Sequence, residues 1–160
     1  MPSQIDVAIR DLQPQMVAYV SMRGPYTKMQ QAFGTLFGWL GRKGLVPAGP
    51  PSGAYYNAPG EVPEDQLLWE LRCPVAGDSP PIGPDENGLG VKLVEAAQVA
   101  ATMHKGPFQK VGMTWDALGK WIVANGYQIV GPGIEIYLSD PGQTKPEDLL
   151  TEVAFPVCKT

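Results

Sequence analysis

The chain contains an internal repeat. When its 160 residues are aligned with themselves at an offset of 82, residues 1–78 lie over 83–160 without a gap, and 19 positions are identical. These positions are mostly turn residues and large apolar residues, which chance similarity seldom keeps in one register. The sequence therefore predicts a single domain over 1–160, made of two similar halves. Repeat one is 1–78, repeat two is 83–160, and a Gly- and Pro-rich linker covers 76–88.

Each half has the pattern of a strand, a helix and two further strands. β-Branched and apolar residues at 15–22 and 97–104 predict buried strands. Helices are expected to follow the Gly-Pro turns, because apolar residues recur at helical spacing. These residues are Met29, Phe33, Leu36 and Leu40 in one half, and Val111, Trp115, Leu118 and Ile122 in the other. Gly44 and Gly126 are expected to end the helices. The other predicted strands lie near 53–58, 67–75, 134–139 and 150–157, with turns at Pro59–Gly60 and Pro141–Gly142.

A leading strand near 5–10 is expected to extend the first strand of its own half, with 89–94 as its equivalent. The pattern is typical of an α+β fold of two βαββ repeats related by a pseudo-dyad. Such a fold would have a joint antiparallel sheet, two helices on one face and a ligand cleft between the repeats.

Composition and charge exclude several functional classes. The formal net charge of −4 argues against a nucleic-acid partner, whose phosphates need a basic face. No apolar run is long enough to span a bilayer, and the N-terminus lacks a signal-peptide pattern. Cys73 and Cys158 have no metal-binding spacing, so we expect reduced thiols in a cytoplasmic protein, with a disulfide as the alternative. His104 is the only histidine and has no companion ligand, so no metal or other cofactor is expected.

Three segments together resemble the GyrI-like small-molecule-binding domain family. They are Gly24–Pro51, Gly126–Pro141 (GYQIVGPGIEIYLSDP) and Thr151–Val157 (TEVAFPV). The resemblance covers nearly the whole chain and implies two βαββ units with a ligand cleft at their junction. It also implies a relation to the effector-binding part of multidrug-responsive regulators. No helix-turn-helix precedes the domain here, so the chain resembles a stand-alone member of the family.

Glu135 is the leading candidate for a functional group. Strand alternation puts Ile136 and Leu138 on one face, expected to meet the helices, and Glu135 and Tyr137 on the other, expected to face the cleft. The repeat aligns Glu135 with Gly53, so the site would have one carboxylate rather than two. The family resemblance implies that a glutamate here lies at the floor of the ligand pocket.

Aromatic residues are expected to form the walls of the pocket. Tyr55 and Tyr137 are equivalent in the repeat, and aromatic walls suit flat, hydrophobic and cationic ligands. Tyr26 and Phe108 follow the Gly-Pro turns and would close the ends of the cleft. Trp69 has no aromatic equivalent and would either shape one side of the pocket or cap the core.

The remaining prominent side chains receive structural predictions. Trp115 lies on a helix stripe and is expected to be a core residue. Glu70 and Glu152 are matched carboxylates, expected at the surface or at the rim of the cleft. Arg72 aligns with Ala154 and is given no role.

Two functions use the same residues. In the first, the protein binds hydrophobic aromatic or cationic small molecules, with Glu135 as the recognising charge. The second comes from the resemblance, because some stand-alone GyrI-like proteins are cyclopropanoid cyclic hydrolases. Glu135 would then be the general base, and Tyr55 or Tyr137 would stabilise charge on the ligand carbonyl. The natural ligand, the oligomeric state and the choice between these functions stay open at this point.

Overall fold

A computed structural model of the chain describes residues 5–58, 60–140 and 142–160. Within these ranges the protein forms nine strands and two α-helices, which confirms the α+β class. Pro59 and Pro141, the first residues of two predicted turns, lie outside them. The strands are β1 (Ala8–Leu12), β2 (Gln15–Arg23), β3 (Ser52–Tyr55), β4 (Leu68–Pro74), β5 (Leu89–Val94), β6 (Ala97–Lys105), β7 (Tyr127–Ile129), β8 (Gly133–Tyr137) and β9 (Leu150–Lys159); the helices are α1 (Met29–Lys43) and α2 (Val111–Ala124).

The chain divides into two compact units, and the one named here the first unit is Gln13–Ala96. Its strands are antiparallel neighbours in the order β3-β4-β2-β5. Helix α1 covers one face of these strands, because its buried Leu36 and Leu40 share a core with Trp69 and Leu71 of β4. Gly44 ends the helix at a φ of +70°, in the left-handed region that favours glycine.

The second unit contains the N-terminal residues up to Leu12 together with Ala97–Thr160. Its antiparallel strands follow the order β1-β6-β9-β8, and the short strand β7, which sequence reasoning missed, also pairs with β9. Leu118 and Ile122 of α2 pack on Val153 of β9 in its core. The pseudo-dyad and the cleft between the repeats stay predictions.

The two leading strands do not extend the first strands of their own halves. Strand β1 pairs with β6, placing Ile9 opposite Ala100, and β5 pairs with β2, placing Val91 opposite Ala18. Each leading strand therefore belongs to the unit formed by the other half of the repeat. The expectation was wrong because similar halves offer similar strand edges, so the alignment alone cannot distinguish them.

Both cysteines and both α-helices lie in the described part of the chain. Cys73 and Cys158 are both free thiols, and burial raises the pKa of Cys73. None of the helices that the structure describes has the length and apolar character needed to cross a membrane.

Candidate functional site

Glu135 and Tyr137 face helix α2 from strand β8. Glu135 lies opposite Val153, which packs against the helix, while Ile136 belongs to a separate cluster with Val99 and neighbouring residues on the other face. The predicted alternation is therefore present, but the expectation that the apolar pair meets the helices was wrong. The reason is that β6 and β9 supply an apolar cluster on the other face, where Ile134 is buried and Ile136 is partly buried.

The carboxylate of Glu135 is held by two neutral donors. The indole Nε1 of Trp115 donates to Oε2 at 2.7 Å, and the hydroxyl of Tyr137 donates to Oε1 at 2.9 Å. Glu135 is 8% exposed, so these bonds form in a largely desolvated place. An ionised carboxylate only accepts hydrogen bonds, and two N–H and O–H donors suit that form. The arrangement fixes the orientation of a buried negative charge.

Aromatic rings surround this carboxylate. The ring of Trp115 lies edge-to-face against Phe155, with centroids 4.7 Å apart, and Phe108 packs in the same way on Tyr137 at 5.9 Å. Gly133 makes room for this packing, because a β-carbon there would lie 2.7 Å from Cη2 of Trp115. The second unit therefore combines one buried charge with four aromatic side chains.

Trp115 packs against the core, as its helical spacing suggested, and its indole also bonds the carboxylate of Glu135. The available signal was the asymmetry of the repeat. Trp115 aligns with Phe33, and Glu135 aligns with Gly53. The half that has the carboxylate therefore also has the ring with an N–H donor, and the half without it has a ring that cannot donate.

An open groove of about 520 Å³ lies beside the same aromatic pair. Its lining includes Trp115, Phe155, Gly119, Val123 and Ile129. Glu135 does not line this groove, but Trp115 borders it and also bonds the carboxylate. The ring of Trp115 is thus a wall shared by the groove and the Glu135 site.

The first unit repeats the aromatic arrangement without the charge. Tyr26 packs edge-to-face on Tyr55, with centroids 5.3 Å apart, as Phe108 does on Tyr137. Gly53 stands where Glu135 stands in the other unit, and a β-carbon on it would lie 2.6 Å from the Tyr55 hydroxyl. The glycine therefore leaves space for the tyrosine ring.

Trp69 lies below the Gly-Pro turn of the first unit. Its indole Nε1 donates to the carbonyl oxygen of Gly24 at 2.9 Å, and its ring lies edge-to-face against Tyr26 at 5.6 Å. It is 1% exposed and belongs to the core. Of the six proposed ligand-binding residues, the structure thus places Glu135, Tyr137 and Phe108 in the second unit and Tyr55, Tyr26 and Trp69 in the first.

A buried charge cluster in the first unit was missed by sequence reasoning. Glu70 is 3% exposed; its Oε2 lies 2.5 Å from Nε of Arg72 and its Oε1 lies 2.8 Å from Nζ of Lys92. Burial alone would raise the pKa of Glu70, but the attraction of Arg72 and the hydrogen bonds from Lys92 and Arg72 outweigh it, so the pKa lies below its ordinary value. Lys92 also lies over the ring of Tyr19, 4.3 Å from its centroid.

The two matched glutamates pair with the two exchanged strands. Glu70 binds Lys92 of β5, and Glu152 binds Arg10 of β1. Arg10 and Lys92 are themselves equivalent in the repeat, as are Glu70 and Glu152. Each half thus provides a carboxylate that holds the leading strand of the other half. The opposite charges at equivalent positions of the two repeats were the sequence signal for this exchange of strands.

Several solved structures share this fold. The EcmrR–DNA complex gives a TM-score of 0.84 at 19% identity over 97% of this chain, which spans 58% of that protein's length. A hydrolase from Listeria innocua gives 0.70 at 18% identity, with 97% of this chain and 93% of that one covered. SAV2435 bound to tetraphenylphosphonium gives 0.60 at 14% identity, with 96% and 94% covered. These identities are low, so the likeness establishes the fold alone.

No curated protein matches the chain in sequence. The family model of the GyrI-like small molecule binding domain matches residues 5–157, which is nearly the whole chain. The match includes both repeats, α2 and the strand that carries Glu135. The chain therefore belongs to the GyrI-like small-molecule-binding domain family.

Proposed function

We propose that the protein binds hydrophobic aromatic or cationic small molecules in the cleft that its repeat predicts, with Glu135 as the group that recognises positive charge. The observation that carries the proposal is the geometry of this carboxylate. It is 8% exposed, is fixed by Trp115 and Tyr137, and lies among aromatic rings. A buried negative charge is costly in apolar surroundings, and a cationic ligand lowers that cost.

The aromatic side chains supply the remaining part of the recognition. Flat rings stack on aromatic walls, and a cation over an aromatic face gains further electrostatic attraction. Tyr137 and Phe108 in the second unit, and Tyr55, Tyr26 and Trp69 in the first, are the proposed contacts. Membership of a small-molecule-binding family supports this assignment, and so does the fold shared with a protein solved with tetraphenylphosphonium.

Calorimetry with tetraphenylphosphonium tests the proposal. Glu135→Gln keeps the size of the side chain and removes its charge, so we expect binding to weaken about 10- to 100-fold, the range for a hydrogen-bonded or paired charge. Glu147→Gln is the matched control because Glu147 is exposed in the same unit. Equal affinity of wild type and Glu135→Gln would contradict a recognising role for Glu135.

The Tyr137–Glu135 contact favours hydrolysis as a second candidate. Glu135 would take a proton from a water, whose oxygen forms a bond to a strained cyclopropane carbon. The carbon–carbon bond breaks, its electron pair moves into the conjugated carbonyl, and that group takes up the proton, so one water is added overall. A tyrosine, Tyr137 or Tyr55, would donate a hydrogen bond to the carbonyl oxygen.

Mass spectrometry of a cyclopropane-bearing alkylator separates the two functions. A gain of one water over many turnovers with wild type, and none with Glu135→Gln, is the result that hydrolysis predicts. Unaltered compound that elutes together with the protein is the result that binding alone predicts.

A further inference from the structure

The two units differ below their Gly-Pro turns. In the first unit, Met22 of β2 pairs with Trp69 of β4, and the indole fills the space below the turn. In the second unit, the equivalent pair is His104 of β6 and Thr151 of β9. A large ring is thus replaced by a small hydroxyl side chain at position 151.

His104 contacts the Gly-Pro turn of the second unit, as Trp69 does in the first unit, but at the next carbonyl along the chain. Its Nε2 lies 3.1 Å from the carbonyl oxygen of Pro107, and its Nδ1 lies 2.7 Å from the Thr114 hydroxyl on α2. The Pro107 carbonyl can only accept, so Nε2 donates to it, and in that neutral tautomer Nδ1 accepts from the Thr114 hydroxyl. Both ring nitrogens are satisfied, and the Gly-Pro turn of the second unit is held without a tryptophan.

The hydroxyl of Thr151 is left without a partner. It is fully buried, and its Oγ1 has no hydrogen-bond partner among the residues that the structure describes. A buried hydroxyl without a partner has lost its hydrogen bonds to water and gained none in the protein, so a native protein rarely keeps one without a reason. A valine would fill the same volume without that cost.

Thr151 lies on the same face of the sheet as the Glu135 site. It is the cross-strand neighbour of Tyr137, whose hydroxyl binds Glu135. Glu135 is opposite Val153, two residues along β9, so Thr151 and Glu135 are diagonal neighbours about 7–8 Å apart along the backbone. The two side chains are therefore near enough for one bound molecule to contact both.

We propose that Thr151 determines ligand specificity by forming a hydrogen bond with a polar atom at the end of the ligand that is remote from its positive charge. This inference rests on the proposed function of Glu135. The ligand class is a flat aromatic cation with a hydrogen-bond acceptor roughly one ring away from the charge. Phe108 is 37% exposed and packs on Tyr137, so its ring is accessible to a ligand from solvent.

Two isosteric probes test this assignment by fluorescence titration. They are 6-methoxy-1-methylquinolinium, which has an ether acceptor, and 6-ethyl-1-methylquinolinium, which has a methylene in its place. Wild type is expected to prefer the methoxy probe about 3- to 10-fold, the range for one net hydrogen bond. Thr151→Val should abolish the preference, and Thr151→Ser should retain it.

Thermal unfolding of the same variants provides a second measurement. Thr151→Val removes an unpaired buried hydroxyl and keeps its volume, so its free energy of unfolding should equal or exceed that of wild type. A clear loss of stability would show that the hydroxyl is needed for the fold and would overturn the proposal.

The Thr151 assignment and the proposed function of Glu135 are contradicted by different results. If both probes bind wild type equally well, and more weakly to Glu135→Gln, the Thr151 assignment is wrong and the Glu135 site stands. If neither probe binds wild type, the proposed function fails and the Thr151 assignment fails with it. An unchanged preference for the methoxy probe in Thr151→Val would also overturn the assignment.

Discussion

The indole nitrogen of Trp115 lies 2.7 Å from a carboxylate oxygen of Glu135, and this bond joins helix α2 to strand β8. A helix that packs through apolar contacts alone can shift slightly, whereas a buried hydrogen bond to a charge fixes one geometry. The bond thus couples the packing of the helix to the orientation of the proposed recognition group.

Trp115→Phe should weaken the binding of aromatic cations. The substitution keeps a ring but removes the donor, so Glu135 loses the hydrogen bond from the indole. We expect a loss of about 1.5–3 kcal/mol in unfolding free energy and a several-fold loss in affinity for 1-methylquinolinium, measured by chemical denaturation and titration. Trp121→Phe is the control, since Trp121 stacks on Tyr127 instead. Equal effects of both substitutions would argue against a special role for the Trp115 donor.

Gly133→Ala should disturb the same site by crowding the ring of Trp115. The added β-carbon would lie 2.7 Å from Cη2 of Trp115 and 3.2 Å from Cε1 of Phe155, so the indole must move away from Glu135. We expect lower stability together with weaker cation binding. Gly112→Ala is the matched control, because nothing lies within 4 Å of its added carbon and alanine favours the helix by about 0.5–1 kcal/mol. A stable Gly133→Ala variant with wild-type affinity would show that the indole position is unimportant.

Glu70 should make the protein sensitive to acid. Its pKa in the folded protein lies below the ordinary value of 4.5, so it contributes stability above that pH, which is lost as the pH falls through the folded value. In Lys92→Met, Glu70 keeps Arg72 but loses Lys92, so burial raises its pKa with less opposition. The loss of stability should therefore begin at higher pH. Unfolding free energies between pH 3 and pH 7 measure this shift. Identical pH profiles of wild type and Lys92→Met would contradict the account.

The two ion-paired glutamates, Glu70 and Glu152, should depend unequally on their arginine partners. Arg72→Met leaves the buried Glu70 with one cation fewer, and breaking such a buried pair costs about 3–5 kcal/mol. The Arg10–Glu152 pair is more exposed, so Arg10→Met should cost about 1 kcal/mol or less. Denaturant titrations of both variants provide the comparison. A larger loss for Arg10→Met would reverse the predicted order.

The repeat was sufficient to predict both helices and all the described strands except β7, because turn residues and apolar stripes mark them locally. It could not predict which half receives each leading strand, because that depends on contacts between distant segments. The charge pattern of Arg10, Lys92, Glu70 and Glu152 contained this information, but only a structure shows which charges meet.

The candidate site was predictable to a similar degree. Alternation in β8 placed Glu135 and Tyr137 on one face, and the repeat showed that the carboxylate is present once. The direction of that face depended on where α2 packs, and the Trp115 donor lies 20 residues away along the chain. The alignment of Thr151 with Trp69 was visible in the sequence, but its complete burial and missing partner are seen only in the structure.

The most direct test of the central claim compares two ligands that differ only in charge. They are 1-methylquinolinium and its neutral isostere 1-methylnaphthalene, titrated against wild type and Glu135→Gln. The account predicts that the substitution weakens binding of the cation about 10- to 100-fold and changes binding of the neutral compound by less than about twofold. Equal effects on both ligands, or none on either, would contradict the recognition of positive charge by Glu135.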